Sequence, residues 1–147
     1  MARDFERELK IAYCAGIIDG EGAVVMRIRG RAIDYTLQVM MIDKEPLLEL
    51  QKLYKGNINK YQSRNPKHSD TYRWAIWGNQ ARKALEEMLP FLKIKKKKAE
   101  LLIEIDKLGT FNRWNLTEEV TSKRITLIGK YKDLFRQRKN NRWKGAD

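Results

Sequence analysis

Residues 14–22 read CAGIIDGEG, a stretch in which two acids and three glycines stand among small and apolar residues. The apolar residues before and within it recur at helical spacing, and Gly20 and Gly22 then end the helix. Asp19 and Glu21 are thereby placed at the C-terminal tip, where the helix dipole is negative and acidic side chains are disfavoured. We therefore expect a cation at this tip.

The composition indicates a basic protein of one domain. The 147 residues include 31 Lys and Arg against 19 Asp and Glu, a net charge of +12, and the sequence pI is near 9.9. Such an excess is typical of nucleic-acid-binding proteins, although a ribosomal-type protein or a solvated basic face would also show it. We expect no membrane span, no secretory signal and, with the single Cys14, no disulfide framework. The expected location is intracellular, either the cytoplasm of a prokaryote or an organelle.

Periodicity predicts the element order α-β-β-α-β-β-α-α-α. Helices are expected from Arg3 or Phe5 to Gly20 and over about 44–55, 79–89, 92–108 and 117–138. Strands are expected over about 22–30, 33–42, 57–64 and 71–77. Because each hairpin follows a helix, the fold class is α+β, with an αββαββα core, one four-stranded antiparallel sheet, helices on one face and extra C-terminal helices. We treat 1–147 as a single domain, with a core at about 3–108 and a C-terminal helical extension at about 109–147.

One face of the predicted sheet is polar and nearly free of acids. If the apolar side of each strand faces the core, the other side carries Arg27, Arg29, Gln38, Asn57, Asn59, Tyr61, Ser63 and Arg73. In the DNA major groove, Arg pairs with guanine and Gln or Asn pairs with adenine. An ordinary solvated face is the alternative, but such faces usually mix Lys, Glu and Thr. The pattern favours binding of double-stranded DNA.

A stripe of small residues runs along the first helix. Ala12, Ala15, Gly16 and Gly20 fall at positions i, i+3, i+4 and i+8, a spacing that lets two helix backbones approach closely. These residues and Asp19 are candidates for a dimer interface, although tight packing of the helix on its own sheet would give the same stripe. Two helices crossing there would bring carboxylates together, which costs free energy unless divalent cations bind beside them.

The stretch 14–22 resembles the nine-residue signature of the LAGLIDADG homing endonucleases. It is identical to the signature at Ala15, Gly16, Ile18, Asp19 and Gly22, conservative at Ile17 and Glu21, and different at Cys14 and Gly20. The segment LPFLKIKKKKAELL (89–102) is similar to the one that places a lysine beside the active site in single-motif members. The resemblance covers about residues 3–108, and the family's αββαββα core with its saddle-shaped sheet matches the predicted order.

The resemblance implies a site-specific DNA endonuclease that uses Mg²⁺, with Mn²⁺ as a substitute. It makes Glu21 a metal ligand, the Gly20 carbonyl a second ligand, and Lys95 the lysine of the family's basic pocket. Glu21 and Lys95 are therefore the catalytic candidates, and the cation expected at the helix tip is the catalytic metal. Because the motif occurs once, cutting both strands requires a homodimer and a long pseudo-palindromic site. The family also implies intron homing.

Two positions depart from the family's pattern. Met41 stands where relatives have a glutamine, and Glu45 stands where a further basic residue is expected, so the water network and the general base stay unassigned. A non-catalytic DNA-binding regulator on the same fold is one alternative function. An intron RNA maturase is another, with the basic last helix as the surface that would bind the RNA partner.

Overall fold

The structure is a computed structural model that describes residues 4–29, 32–108 and 117–144, with side-chain environments for 4–27, 33–108 and 117–133. The elements are α1 (Phe5–Glu21), β1 (Gly22–Arg29), β2 (Ala32–Met41), α2 (Glu45–Tyr54), β3 (Asn57–Tyr61), β4 (Thr71–Trp77), α3 (Gly78–Met88), a 3-10 turn (Leu89–Phe91), α4 (Lys96–Lys107) and α5 (Glu118–Lys144). The predicted α+β order is confirmed. Within the described ranges, no helix has the length and apolar surface needed to cross a bilayer.

The four strands form one antiparallel sheet in the order β1-β2-β4-β3. Each hairpin supplies one edge strand, and β2 pairs with β4 in the middle. Residues that face each other across a ladder share a face, so the register defines rows across the sheet. In one such row, Gln38 lies between Ala23 and Ala75, and Asn57 is the next residue beyond Ala75.

The core lies between one face of this sheet and the helices. Ile18, Leu37, Trp74, Leu85 and Leu102 come from five different elements, and none of them has measurable solvent exposure. Removing one such side chain from water contributes about 1.5–3 kcal/mol. The predicted alternation of β2 is confirmed, because its inward residues are buried and its opposite side is left for solvent.

Two predicted boundaries are wrong. Strand β3 ends at Tyr61, and Ser63 lies in the following loop, where its backbone N–H donates to Asp70 Oδ1 at 3.0 Å and its hydroxyl donates to the Asn65 carbonyl at 3.0 Å. Helix α4 begins only at Lys96, so the segment 92–95 before it is a bent link rather than helix. In both segments, side chains take up backbone N–H groups that a regular element would bond: Asp70 bonds Ser63, and Asp19 bonds residues 93–95.

Two glycines are required by close backbone packing. At Gly22, where α1 turns directly into β1, an added Cβ would lie 2.7 Å from the Ile18 carbonyl oxygen. At Gly56 the φ angle is +93°, and an added Cβ would lie 2.6 Å from Ile76 Cγ2. The last glycine of the stretch 14–22 is therefore needed to join the helix to the sheet without a gap.

Helix α5 lies against α4 and the outer edge of β1. Thr117 caps its start, since the Val120 N–H donates to Thr117 Oγ1 at 3.2 Å. Further along, the buried Tyr131 hydroxyl donates to the Val24 carbonyl at 2.7 Å and is also hydrogen-bonded by the Met26 backbone. The helix therefore covers the free edge of β1, where outward-facing backbone groups would otherwise lack protein partners.

Candidate functional site

The tip of α1 and residues 93–95 hold each other through hydrogen bonds in both directions. The Asp19 carboxylate accepts the backbone N–H groups of Lys93 at 2.8 Å, Ile94 at 3.1 Å and Lys95 at 2.9 Å. Lys95 Nζ donates to the carbonyls of Ile18 and Asp19, both at 3.0 Å. Two segments that lie 76 residues apart in sequence therefore form one unit.

Lys95 supplies a cation at the helix tip. Its side chain is only 2% exposed. The last carbonyls of a helix lack intrahelical partners and carry the negative end of its dipole, so an ammonium group there is stabilising. The expectation that the metal accounts for the cation at this tip is wrong to that extent. Lys95 Nζ bonds the carbonyls of Ile18 and Asp19, the two residues before Gly20.

Glu21 is the last residue of α1, and its side chain is exposed. It makes no hydrogen bond or ion pair with any other residue in the described ranges. Gly20 beside it is also exposed, and an added Cβ there would stand in open space beyond the helix's own backbone. This end of the helix therefore offers a carboxylate and a carbonyl to solvent.

These oxygen donors fit Mg²⁺, which prefers carboxylate and carbonyl oxygens and keeps several waters. Among the residues that the structure describes, no group of three or more His, Cys, Asp or Glu side chains could hold a metal. In the described ranges, Glu21 and the Gly20 carbonyl are therefore two oxygen donors that would form part of a coordination shell.

The stripe of small residues on α1 is divided between the core and the surface. Ala15 is fully buried within the chain, so its assignment to a dimer interface is wrong: its side chain has no area to give to a second copy. The Asp19 carboxylate, also assigned there, bonds the link before α4. Ala12 is half-buried and Gly16 is exposed, with open space where a Cβ would stand.

An exposed apolar face on α1 was missed by the sequence analysis. Phe5, Leu9 and Tyr13 are 67%, 71% and 52% exposed, and Gly16 and Gly20 continue the same face toward the helix tip. The helical spacing of these residues is visible in the sequence, but spacing alone does not show which face of a helix stays in solvent. Adjacent large apolar side chains in solvent are typical of an interaction surface.

The outward face of the sheet gathers most residues that the sequence predicted there. Arg27 stands opposite Asp34, Asn59 stands opposite Arg73, and Tyr61 is exposed at the end of β3. These cross-strand pairs share a face, as do Gln38 and Asn57 in the row described above.

Two predicted members, Arg29 and Ser63, are not seen on this face. Arg29 ends β1, with its backbone opposite Ala32, and its side chain lies outside the described residues. Ser63 lies in the β3–β4 loop, so its predicted place on the strand is wrong. On the face itself, Arg73 Nε donates to Gln38 Oε1 at 2.9 Å, and Arg73 Nη2 donates to the same oxygen.

The fold is similar to solved structures of homing endonucleases. No protein-family model matches the sequence, and a search of curated proteins gave no match. The homing endonuclease I-CvuI, in complex with its target in the presence of Ca, has a TM-score of 0.67 and 24% identity over 89% of this chain and 85% of that one. The archaeal intron-encoded homing endonuclease I-Vdi141I, complexed with DNA, has a TM-score of 0.66 and 17% identity over 86% and 84%.

The fold is also similar to part of a longer homing endonuclease. The LAGLIDADG homing endonuclease I-SmaMI, bound to cleaved DNA, has a TM-score of 0.54 and 23% identity over 80% of this chain and 42% of that one. The chain thus matches less than half of I-SmaMI but most of I-CvuI. The chain has the fold of the LAGLIDADG homing endonucleases, as the signature at 14–22 predicted.

Proposed function

We propose that this chain, which has the LAGLIDADG endonuclease fold, is a site-specific endonuclease that cuts both strands of DNA as a homodimer with Mg²⁺. The observation that carries the proposal is the tip of α1, where an exposed Glu21 carboxylate stands beside a helix end held by a buried Lys95. An acid in this position is unfavourable for the helix itself, so a role outside the fold accounts for it best.

The surface that would contact DNA is the outward face of the sheet. Arg27, Gln38, Asn59 and Arg73 are placed there in cross-strand rows, and the chain has a net charge of +12. Positive charge attracts the phosphate backbone without regard to sequence, while amide and guanidinium groups read base edges. Binding should therefore weaken steeply with added salt.

The proposed roles at the helix tip follow from its donors. Glu21 and the Gly20 carbonyl would hold Mg²⁺, which supplies Lewis-acid chemistry at the phosphate and a water nucleophile at neutral pH. Lys95 holds the helix end that carries both ligands, and its positive charge lowers the cost of bringing a scissile phosphate to a carbonyl-rich tip. Asp19 keeps the Lys95 backbone in place.

The proposed homodimer uses the exposed face of α1. Two copies that pair Phe5, Leu9, Tyr13, Gly16 and Gly20 across a twofold axis would cover their apolar side chains and bring both Glu21 carboxylates near the axis. The open space at Gly16 and Gly20 allows the two backbones to approach there. A twofold protein predicts a pseudo-palindromic site. An intron-encoded origin and an intracellular location belong to the same proposal.

The experiment is cleavage of a DNA library with randomised pseudo-palindromic sites, in Mg²⁺ and in Ca²⁺. Wild type, Glu21→Gln and Glu100→Gln are compared, because Glu100 is an exposed acid on α4 whose replacement removes the same charge away from the tip. We expect discrete double-strand products in Mg²⁺ with wild type and Glu100→Gln, and none with Glu21→Gln. Tight selection of a sequence without cleavage in any condition would overturn the nuclease and favour the DNA-binding regulator.

A further inference from the structure

Gln38 and Arg73 lie on the two central strands, on the outward face of the sheet. The register pairs Gln38 with Ala75 and Arg73 with Met40, so the two residues are diagonal neighbours within reach of two long side chains. Arg73 Nε and Nη2 both donate to Gln38 Oε1, with Nε at 2.9 Å. The other neighbour of Gln38 in its row is Ala23, which leaves room on both sides.

This contact uses the only acceptor that the pair possesses. A guanidinium group has five N–H donors and no acceptor, so the amide of Gln38 has to turn its oxygen toward Arg73. The two N–H groups on Gln38 Nε2 and three of those on Arg73 make no hydrogen bond to other residues in the described ranges. Those three include the pair of parallel N–H groups at the end of the guanidinium. The groups of Gln38 and Arg73 that remain for a ligand are therefore all hydrogen-bond donors.

A protein surface that offers only hydrogen-bond donors can distinguish guanine from adenine in the major groove. Guanine offers two acceptors, N7 and O6, whereas adenine offers one acceptor and one donor. A glutamine that reads adenine needs its oxygen to accept from N6, and the oxygen of Gln38 already accepts twice from Arg73.

We infer that Arg73 reads one guanine in each half of the DNA target, and that Gln38 orients the guanidinium instead of reading an adenine. The inference rests on the proposed function and deepens it by naming one base of the half-site. It also changes the general expectation from sequence, in which a glutamine on this face pairs with adenine.

The surroundings of Arg73 support this assignment. Its cross-strand neighbours, Asn59 and Met40, are uncharged, so neither adds a carboxylate that would compete with guanine for the guanidinium. Asp34, an acid on this face, stands opposite Arg27 on the β1–β2 hairpin and not beside Arg73. Arg73 is also held by Gln38 before DNA arrives, so less side-chain freedom is lost on binding.

The test is a binding selection from a DNA library randomised across the half-site, followed by competition between single-base variants of the selected DNA. Wild type is compared with Arg73→Ala and with Gln38→Met, which keeps the side-chain length but removes the amide. Arg64→Ala is the matched control, because it removes the same charge from the exposed β3–β4 loop. Circular dichroism and thermal unfolding establish that each variant is folded.

We expect wild type to prefer guanine at one position of each half-site, and Arg73→Ala to lower that preference about tenfold or more. Gln38→Met should lower the preference at the same position and remove no adenine preference elsewhere, while Arg64→Ala weakens binding to all sequences alike. The inference is overturned if Gln38→Met abolishes an adenine preference at another position, or if every guanine preference survives Arg73→Ala. A wild type that selects no sequence would overturn the proposed function as well.

Discussion

Asp19 and Lys95 anchor each other's backbone. The Asp19 carboxylate accepts the Lys95 N–H at 2.9 Å, and Lys95 Nζ donates to the Asp19 carbonyl at 3.0 Å. The tip of α1 and the link before α4 are thus coupled, and neither can shift without breaking bonds made by the other. The exposed Glu21 carboxylate projects from this coupled unit, so its position depends on both residues.

Replacing Asp19 should destabilise the protein, and by more with alanine than with asparagine. Asp19→Ala removes the acceptor for three backbone N–H groups, and we expect the free energy of unfolding to fall by about 2–3 kcal/mol. Asp19→Asn should cost less, because Oδ1 still accepts from Ile94 and Lys95 while the new amide cannot accept from Lys93. Urea unfolding measures both values. Asp43→Ala, at an exposed acid, is the control, and an equal loss in Asp19→Ala and Asp43→Ala would contradict the prediction.

Replacing Lys95 should separate cleavage from binding. Lys95→Met keeps the aliphatic chain but removes the charge that bonds two helix-end carbonyls, and we expect the cleavage rate to fall about 100-fold or more. DNA affinity should change by less than about threefold, since a buried group contributes little to the attraction of phosphates. Single-turnover cleavage and a binding titration give the two values. Lys96→Met, which removes an exposed neighbouring charge, should show the reverse pattern.

Removing the hydroxyl of Tyr131 should loosen the edge of the sheet. Tyr131→Phe leaves the Val24 carbonyl without its 2.7 Å bond, and we expect a loss of about 1–2 kcal/mol in the free energy of unfolding. Hydrogen exchange of the Met26 amide should also become faster, because the same hydroxyl bonds that backbone. Tyr61→Phe is the control, since Tyr61 is exposed on the outward face. Unchanged exchange at Met26 would mean that α5 does not hold this edge.

Alkaline pH should destabilise the fold. Burial raises the pKa of the Cys14 thiol from 9.0 to about 11, and it raises the pKa of the Tyr35 and Tyr131 hydroxyls from 10.0 to about 12. A group with a raised folded-state pKa stabilises fully below its unfolded pKa, and that contribution is lost as pH rises through the folded value. The free energy of unfolding should therefore be constant from pH 7 to 8.5 and fall above about pH 9.

The Cys14 contribution can be isolated. For this thiol we expect a loss of about 2 kcal/mol between pH 8 and 10.5, since one pKa unit corresponds to about 1.4 kcal/mol. Urea unfolding at the two pH values should show a smaller difference for Cys14→Ala than for wild type. Equal differences for the two proteins would show that Cys14 does not titrate in this way.

Local patterns in the sequence were sufficient for the elements and for much of the site. The predicted start of the first helix at Phe5 is confirmed, with the Asp4 side chain accepting the Arg7 N–H at 3.2 Å. The alternation in β2 correctly predicts which of its residues are buried. The stretch 14–22 correctly predicted the fold and placed Glu21 at a helix end. Capping, side-chain alternation and helical period depend on neighbours a few residues away, so the sequence alone carries them.

The tertiary structure decided which distant groups meet. Neither the bonds between Asp19 and the 93–95 backbone nor the pairing of Gln38 with Arg73 follows from any local pattern, because the partners lie 35 to 76 residues apart. The same holds for the burial of Ala15 and the exposure of Leu9, which share a helix and an apolar character. Periodicity shows that a helix has two faces, but only packing against the sheet and the other helices determines which face remains for a partner.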